Sequence, residues 1–389
     1  MTVKLGLDLL LEDHLDLVQG QRVGLIVHPA SINSNLEHTQ TLFFNHPRIN
    51  LTTIMGPQHG IQGETQDNMI EWEGYQDPIA DLPVHSLYGK SRAPTRAMLQ
   101  DVDVVVFDLQ DVGARYYTYI HTLALTMRAC REHGKSLVVL DRPNPINGVD
   151  TEGTVLNPDF SSFVGLYPLA MRHGMTVGEL ALYFNHEFKI DCPIEIVKMQ
   201  GWSRDMFFSD TQLPWVLPSP NMPTPETALV YPGMCLLEGT NVSEGRGTTR
   251  PFELSGAPWI TPTRMVDELN RMTLPGVVFR PVHLTPTFHK WASDNIGGVQ
   301  IHVSDRRTFH PVLTGLAMLK LYREMGGDRF AWKSPPYEYE TEKLPIDILS
   351  GTDKIRILIE AEASLDELQD YWKAELRQFR DIRRRYLLY

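Results

Sequence analysis

Short runs of apolar, β-branched residues recur along the first half of this chain, and helical patterns separate them. The runs are Arg22–His28, Ile49–Met55, Val102–Leu109, Ser136–Leu140 and, more weakly, Ile194–Lys198. A half-exposed strand alternates apolar and polar residues, whereas continuous apolar runs of this length are typical of strands buried on both faces. The sequence therefore predicts an α/β fold, with a doubly wound, mainly parallel sheet covered by helices on both sides.

The second half of the chain has a different pattern. Pro214–Pro232 is rich in proline and is predicted to be extended and irregular. Beyond it, the patterns predict a helix at Thr263–Met272, strands at Val277–Leu284 and Gly298–Val303, and helices at Pro311–Met325 and Leu365–Leu388. Because 389 residues are enough for two domains, we predict a main domain over 1–256 and a smaller α+β domain over 257–389. The basic segment Asp381–Arg385 is expected to be a solvated face of the last helix.

Composition excludes several classes of protein. The net charge of −12 argues against non-specific nucleic-acid binding, which needs a basic face. No stretch approaches about 18 uninterrupted apolar residues, so no membrane span is predicted. Residues 1–21 carry acids among their leucines, which predicts an amphipathic helix and not a signal peptide. As written, the chain is expected to be cytoplasmic, with a removed leader as the alternative. Cys130, Cys192 and Cys235 are far apart and predict neither a disulfide framework nor a zinc site.

Polar segments rich in glycine or proline follow the predicted strands. They are residues 56–67, 107–119 and 141–153, and the loop after the apolar run Ala228–Tyr231, which we expect to be a fourth strand. The carboxyl ends of parallel strands meet at one edge of the sheet, where ligands of such folds bind. The sequence therefore predicts a catalytic cleft at this edge.

The loop at Leu236–Trp259 concentrates charge and glycine and has no hydrophobic period. Its charged side chains are Glu238, Glu244, Glu253, Arg246 and Arg250. Carboxylates and guanidinium groups on such a loop suit a polar, partly anionic ligand. The alternative is a structural loop, in which the Glu–Arg pairs only hold the loop in place.

Gln58, His59 and Glu64 lie together on the glycine-bounded loop after the second strand. A carboxyl group in a closed cleft has its pKa raised and then serves as a general acid. Glu64 is the first choice for that role, with a solvent-exposed loop acid as the alternative. His59 could orient Glu64 or donate to a hydroxyl group, or it could be a satisfied buried histidine.

Further candidates follow the next two strands. Asp108 stands at a strand end, Asp111 and Arg115 have the spacing of a helical pair, and Tyr117 offers an aromatic face. Arg142 is a candidate fork for a carboxylate or hydroxyl group, and an ion pair with Asp141 is the competing interpretation. The same segments also contain Asn144 and Glu152.

Cofactor and metal signatures are missing from the sequence. No GxGxxG follows the first strand, and neither a Walker A loop nor a GxSxG elbow occurs, so no cofactor is predicted. The histidines His28, His59, His85 and His121 have no HxH or HExxH spacing. A catalytic metal is therefore a minor alternative.

Several long motifs resemble those of one bacterial family, the exo-β-N-acetylmuramidases (NamZ or YbbC-like, long catalogued as a domain of unknown function). They are GPQHGIQGE at 56–64, HSLYG at 85–89, VFDLQDVGARYYTYI at 106–120, LDRPNPING at 140–148, RHGMTVGEL at 172–180, PSPNMPT at 218–224 and YPGMCLLEGTNVSEGRGTTRPFELSGAPW at 231–259. The resemblance covers nearly the whole chain. It implies a Rossmann-like catalytic domain, a C-terminal auxiliary domain and a cleft between them.

The resemblance also implies an activity, namely removal of N-acetylmuramic acid from the non-reducing end of peptidoglycan fragments during cell-wall turnover. The expected mechanism uses two carboxyl groups and an oxocarbenium-like transition state. Glu64 would protonate the leaving oxygen, and Glu244 or Glu152 would be the nucleophile or base, unless the substrate's acetamido group attacks. One of Arg246, Arg250 and Arg142 would hold the lactyl carboxylate. The candidate substrate contacts are Gln58, Tyr88, Asp108, Arg115, Tyr117, Arg142, Asn144, Asn221, Glu238, Asn241, Arg246 and Arg250.

One residue departs from the family pattern. Members commonly carry Glu where this chain has Gln58. This departure keeps a non-catalytic muropeptide-binding protein as one alternative, and the scattered histidines keep a metal-dependent amide or ester hydrolase as another. The expected partner is a small carbohydrate, while the sequence leaves the oligomeric state and the choice between retention and inversion open.

Overall fold

The structure of this chain is a computed structural model, which describes residues 2–63, 65–67 and 69–389. Its strands over these residues are β1 (Arg22–Val27), β2 (Asn50–Gly56), β3 (Tyr75–Gln76), β4 (Pro83–Ser86), β5 (Val104–Asp108), β6 (Ser136–Leu140), β7 (Glu152–Val155), β8 (Ala170–Arg172), β9 (Ile194–Val197), β10 (Leu254–Ala257), β11 (Val277–Leu284) and β12 (Ile296–Val303). Its helices are α1 (Gly6–Asp13), α2 (Thr39–Asn45), α3 (Tyr119–His133), α4 (Val177–Glu187), α5 (Pro225–Met234), α6 (Pro262–Arg271), α7 (Pro311–Gly326), α8 (Pro345–Ser350), α9 (Lys354–Glu360) and α10 (Leu365–Arg383).

Seven strands form the central sheet in the spatial order β3-β4-β2-β1-β5-β6-β9. All neighbours are parallel except β3, which pairs antiparallel with β4 at the edge. Counted in chain order, the six parallel strands have the order 3-2-1-4-5-6 of the doubly wound, dinucleotide-binding type of fold. The predicted α/β fold is therefore confirmed, and the five predicted apolar runs form β1, β2, β5, β6 and β9. β5 is buried along its whole length, as a continuous apolar run predicts.

A smaller, three-stranded sheet with the order β10-β12-β11 belongs to the second half of the chain. Its strands are antiparallel, α6 packs against β11 and β12, and α7 contacts α6. One continuous apolar core runs from β1 and β5 through α5 and α7 to α10, so the two halves are packed together. Because β10 spans residues 254–257, the predicted division at residue 256 falls within a strand, and that division stays a prediction.

The prediction for Pro214–Pro232 is wrong over its second half. Ala228–Tyr231, expected to be a strand, lies inside α5. The Thr224 side chain accepts a hydrogen bond from the Thr227 backbone N–H, and Pro225 occupies the first turn, which together start the helix. At Gly233 the backbone of α5 touches Pro311 and Gly315 of α7 so closely that a Cβ atom would meet the Pro311 carbonyl. Helix packing thus overrides the proline-rich composition.

The basic end of α10 is not simply a solvated face. Arg383 is buried and donates to the backbone carbonyls of Gly148 and Gly174. Arg384 and Arg385 are exposed, as predicted. The last turn of α10 therefore ties the C-terminus to the main sheet domain. Within the described residues, no helix is both long and apolar enough to cross a membrane.

Candidate active site

A narrow pocket with a volume of about 40 Å³ lies at the carboxyl edge of the main sheet. The pocket is lined by Gln58, His59, Tyr116, Tyr117, Thr118, Tyr119, Val164, Ser219, Asn221, Met222, Tyr231, Glu238, Arg246, Phe252, Tyr337 and Glu338. Segments after β2 and β5 meet there with parts of the C-terminal half, which agrees with the predicted cleft.

Residues after β2 and β5 form one wall of this pocket. Thr118 donates from Oγ1 to Gln58 Oε1 at 2.7 Å, which fixes the Gln58 amide. His59 has a left-handed backbone (φ 70°) and its Nδ1 lies 2.8 Å from the Thr65 carbonyl oxygen. Burial lowers the pKa of His59 to about 4, so the ring is neutral. Because a carbonyl only accepts, Nδ1 carries the hydrogen and Nε2 is an acceptor.

Glu238 and Arg246 form the charged part of the opposite wall. Arg246 donates from Nη2 to Glu238 Oε1 at 2.8 Å, and Tyr337 donates from its hydroxyl to Glu238 Oε2 at 2.7 Å. Burial acts to raise the pKa of Glu238, but Arg246 outweighs it and the pKa is lowered. Arg246 Nη1 is buried and has no acceptor within the part of the chain that the structure describes. The pocket therefore offers a held carboxylate and a guanidinium donor that has no acceptor among the described residues.

A second row of charges lies behind Arg246. Glu244 is fully buried, accepts from Lys290 Nζ at 2.8 Å, and lies 3.2 Å from His289 Nδ1 and 3.4 Å from Arg246 Nε. Burial acts to raise the pKa of Glu244, but Lys290, His289 and Arg246 hold it well below its usual range. Glu244 thus supports Arg246 from the side away from the pocket.

Glu338 is a pocket acid that the sequence analysis missed. Its side chain accepts from the Tyr88 hydroxyl at 2.7 Å and from Gln58 Nε2 at 3.3 Å. Burial raises its pKa to about 6. Glu338 lies in the acidic segment YEYETEK, which resembles an exposed loop, and it reaches the pocket through contacts with residues 250 and 280 positions away. No local signal could have identified it.

The structure brings six of the predicted site residues together. Gln58, His59, Tyr117, Asn221, Glu238 and Arg246 line the pocket. Tyr88 is linked to it through Glu338. Glu64, the predicted acid, lies outside the described residues, and its role stays a prediction.

Asp108 and Arg142 lie apart from this pocket. Both are buried, and Arg142 donates from Nε and Nη2 to the Asp108 carboxylate at 2.6 and 2.8 Å. Thr39 Oγ1 also donates to Asp108. The alternative prediction, an ion pair between Asp141 and Arg142, is wrong. The neighbouring strands β5 and β6 place Arg142 against Asp108 instead.

Arg115 and Asn144 are engaged with the backbone. Arg115 donates to the carbonyls of Thr154, Leu169 and Leu349, so its predicted helical pairing with Asp111 is wrong. Residues 111–115 form no helix. Asn144 donates to the Met175 carbonyl and accepts from the Ile146 N–H. These contacts connect segments of the scaffold and leave no side-chain group of Asn144 directed to the pocket.

Glu152, predicted as a second catalytic acid, sits at the start of α7. Its carboxylate accepts from the Val312 and Leu313 N–H groups at 3.1 and 2.8 Å. A carboxylate at a helix N-terminus satisfies unpaired N–H groups and the helix dipole. The structure thus gives Glu152 a capping contact outside the pocket lining.

Asn241 and Arg250 also lie outside the pocket lining. Asn241 donates to the Arg329 carbonyl and accepts from the Ala331 N–H. Arg250 is half-exposed and pairs with Glu253 at 3.1 Å. Of the three arginines considered for a substrate carboxylate, only Arg246 faces the pocket. Over the ranges that the structure describes, no three His, Cys, Asp or Glu side chains are grouped so as to hold a metal ion.

Comparisons with known proteins identify the family to which this chain is similar. Residues 23–226 match the family model described as "Exo-beta-N-acetylmuramidase NamZ, N-terminal", and residues 229–389 match its C-terminal counterpart. The chain is 46% identical over 387 residues to the peptidoglycan beta-N-acetylmuramidase NamZ of Bacillus subtilis (strain 168), covering 100% of this chain and 91% of that protein.

Two solved structures of DUF1343 family proteins from Bacteroides fragilis NCTC 9343 share the fold. One is 35% identical with a TM-score of 0.90, and the other is 27% identical with a TM-score of 0.77. In each case the alignment covers 100% of this chain and 99% of the other.

Proposed function

The chain belongs to the exo-β-N-acetylmuramidase NamZ family, and from this we propose that it is an exo-acting glycoside hydrolase. It would release N-acetylmuramic acid from the non-reducing end of peptidoglycan fragments. The observation that carries the proposal is the pair of pocket carboxyl groups with opposite pKa shifts, Glu238 lowered and Glu338 raised. Glycosidases act through carboxyl groups gathered at one site, and shifts in opposite directions give these two groups different basicities.

The shape of the site supports an exo mode of cleavage. The lining residues surround a narrow pocket and not a long open groove, so the end of a glycan can enter it more readily than the middle. Tyr117, Tyr231 and Phe252 provide aromatic faces, which suit the apolar face of a sugar ring. The remainder of the glycan would extend outward from the pocket.

Arg246 is the proposed contact for the lactyl carboxylate, the group that distinguishes muramic acid from glucosamine. Its Nη1 has no acceptor among the residues described, while its Nη2 is held by Glu238. Charge-assisted hydrogen bonds to a carboxylate are the stronger kind in proteins. His59 Nε2, an acceptor, and the side chain of Asn221 are proposed to bind the sugar's polar groups.

Glu64 remains the proposed general acid because of its place in the GPQHGIQGE loop, which also supplies Gln58 and His59 to the pocket. Neither Glu244 nor Glu152 lines the pocket. We therefore assign the role of the second carboxyl group to the acids that do, Glu238 and Glu338. Gln58 is integrated into the site by its bonds to Thr118 and Glu338. Its presence in place of Glu is therefore compatible with a working enzyme.

Release of a chromophore from an aryl β-N-acetylmuramide, compared with the matching β-N-acetylglucosaminide, tests the proposal. Wild type is expected to cleave the muramide preferentially, and Glu64→Gln to lower the rate by roughly 10²–10⁴-fold. Glu73→Gln, an exposed acid in the same region, is the control and should match wild type.

Two other results would contradict the proposal. Failure to cleave either glycoside, with muramic acid still bound, would identify a binding protein. Activity that a chelator abolishes and added metal restores would identify a metal-dependent hydrolase.

A further inference from the structure

Glu338 is presented to the pocket by a tight turn of unusual backbone conformation. Tyr337 and Glu340 exchange two backbone hydrogen bonds of 2.9 Å, and Glu338 and Tyr339 between them have φ angles of 45° and 70°. Such turns strongly favour Asn and Gly, because other residues in this region cost of order 1–3 kcal/mol. Glutamate and tyrosine at these positions indicate a requirement other than stability.

The turn places three successive side chains in defined contacts. Tyr337 donates to Glu238, and Glu338 accepts from Tyr88 and Gln58. The Arg92 guanidinium lies over the Tyr339 ring, with its Cζ atom 3.4 Å from the ring centroid. Glu338 is only 4% exposed, yet it lines the pocket. Its carboxyl group is thus both fixed and accessible to a bound ligand.

Glu238 and Glu338 differ in the partners of their oxygens. Both Glu238 oxygens face strong donors, one of them a guanidinium, which makes Glu238 a weak base. Among the described residues, the donors to Glu338 are the neutral Tyr88 and Gln58, and burial raises its pKa to about 6. A base is most effective when its pKa lies close to the working pH. Over the part of the chain that the structure describes, the charged and titratable groups around Glu338 include Tyr88, His59, Glu238, Arg246 and Tyr337, with Arg92 over the neighbouring Tyr339 ring.

From this geometry we infer that Glu338 is a catalytic residue, the general base that accepts the proton of the hydrolytic water. The water oxygen bonds to the anomeric carbon as its proton passes to a Glu338 oxygen. The bond from that carbon to the glycosidic oxygen breaks, and the oxygen leaves as an alcohol with the proton of the general acid, for which Glu64 is proposed. Glu338 then releases its proton to solvent, and the general acid takes up a proton from solvent, which restores both groups. The inference rests on the proposed glycosidase function.

Tyr88 and Gln58 are positioning residues in this scheme. Each donates one hydrogen bond to the Glu338 carboxylate, which favours its ionised form. A glutamate at position 58 would place a second carboxyl group beside Glu338 and raise its pKa further. Gln58 therefore suits a base that must be ionised near neutral pH.

The pH dependence of kcat/KM on the aryl muramide tests the inference. In wild type, activity should fall as the pH drops through about 6, because protonation removes the base. Glu338→Gln should lower kcat by roughly 10²–10⁴-fold, change KM little and abolish this acidic limb. Added formate should partly restore its kcat. Glu342→Gln, an exposed acid of the same segment, is the matched control and should keep the wild-type profile.

Tyr88→Phe provides an independent readout if Glu338→Gln is poorly folded. Losing one donor to the carboxylate should move the acidic limb up by about one pH unit. An unmoved limb in Tyr88→Phe, or a Glu338→Gln variant with at least a tenth of wild-type kcat and an intact acidic limb, would overturn the inference. Wild-type cleavage of the muramide in those experiments would leave the proposed function standing, whereas an inactive wild type would refute that function itself.

Discussion

Lys290 makes three hydrogen bonds, one of them to Glu244. We predict that replacing it with methionine lowers the free energy of unfolding by a measurable amount. Its ammonium group donates to Glu244 Oε2 at 2.8 Å and to the carbonyls of Leu237 and Val242 at 2.9 and 3.0 Å. The Glu244 side chain is fully buried, and that of Lys290 is 12% exposed. Methionine keeps the apolar stem and removes the charge and all three bonds. The Leu237 and Val242 carbonyls, on the segment that carries Glu238, would lose their hydrogen bonds to Lys290.

The magnitude follows from what the substitution leaves behind. Removing one partner of a buried ion pair typically costs about 3–5 kcal/mol, because the remaining charge is left uncompensated. His289 and Arg246 still face Glu244, so we expect the lower end, about 3 kcal/mol. That is a large part of the roughly 5–15 kcal/mol by which proteins are stable. Urea unfolding of wild type, Lys290→Met, Glu244→Gln and the double variant would measure it.

The double-mutant cycle should show that the two substitutions are strongly coupled. The effect should also depend on pH with a definite sign. Glu244 has a lowered pKa in the folded protein, so its stabilisation is present above its ordinary pKa of 4.5 and is lost as the pH falls through the lowered value. The difference in the free energy of unfolding between wild type and Lys290→Met should therefore become smaller in acid. A cost below about 1 kcal/mol at neutral pH, or a gap that widens in acid, would refute the reasoning.

Two further predictions follow from the remaining contacts. Arg246→Lys keeps the charge but loses the fork, so the ratio of kcat/KM for the aryl muramide over the glucosaminide should fall by roughly tenfold, and an unchanged ratio would remove Arg246 from lactyl recognition. Asp108→Asn leaves the buried Arg142 without its carboxylate and should cost about 3–5 kcal/mol in urea unfolding with KM for the muramide unchanged. A raised KM with wild-type stability would return Asp108 to the substrate site.

The main sheet was predictable because burial on both faces leaves a direct mark on sequence. The strands β5 and β6 are nearly continuous apolar runs, at Val104–Asp108 and Ser136–Leu140. Because they are parallel, the polar segments that follow them lie at the same edge of the sheet. Ala228–Tyr231 shows the limit of this argument, since four apolar residues fit a strand or a buried helix equally well. The Thr224–Pro225 start signal favoured the helix, but the surrounding prolines obscured it.

The site was only partly predictable because partners across the fold decide what each polar residue does. Asp108 ends β5 and Arg142 follows the end of β6, where ligand-binding residues often lie, yet these adjacent strands make the two residues partners of each other. Glu152 is likewise occupied by the start of α7, which lies 160 residues away. Glu338 is the converse case, an acid in an ordinary-looking segment that folding brings into the pocket.

The central claim is that the pocket at the carboxyl edge of the main sheet binds one terminal muramic acid residue and that the protein releases it. The most direct test is digestion of two defined peptidoglycan glycans, one ending in N-acetylmuramic acid at the non-reducing end and one ending in N-acetylglucosamine, with products followed by mass spectrometry. The account predicts free N-acetylmuramic acid from the first glycan and no product from the second. Internal cleavage into oligosaccharides, or release of N-acetylglucosamine from the second glycan, would contradict it.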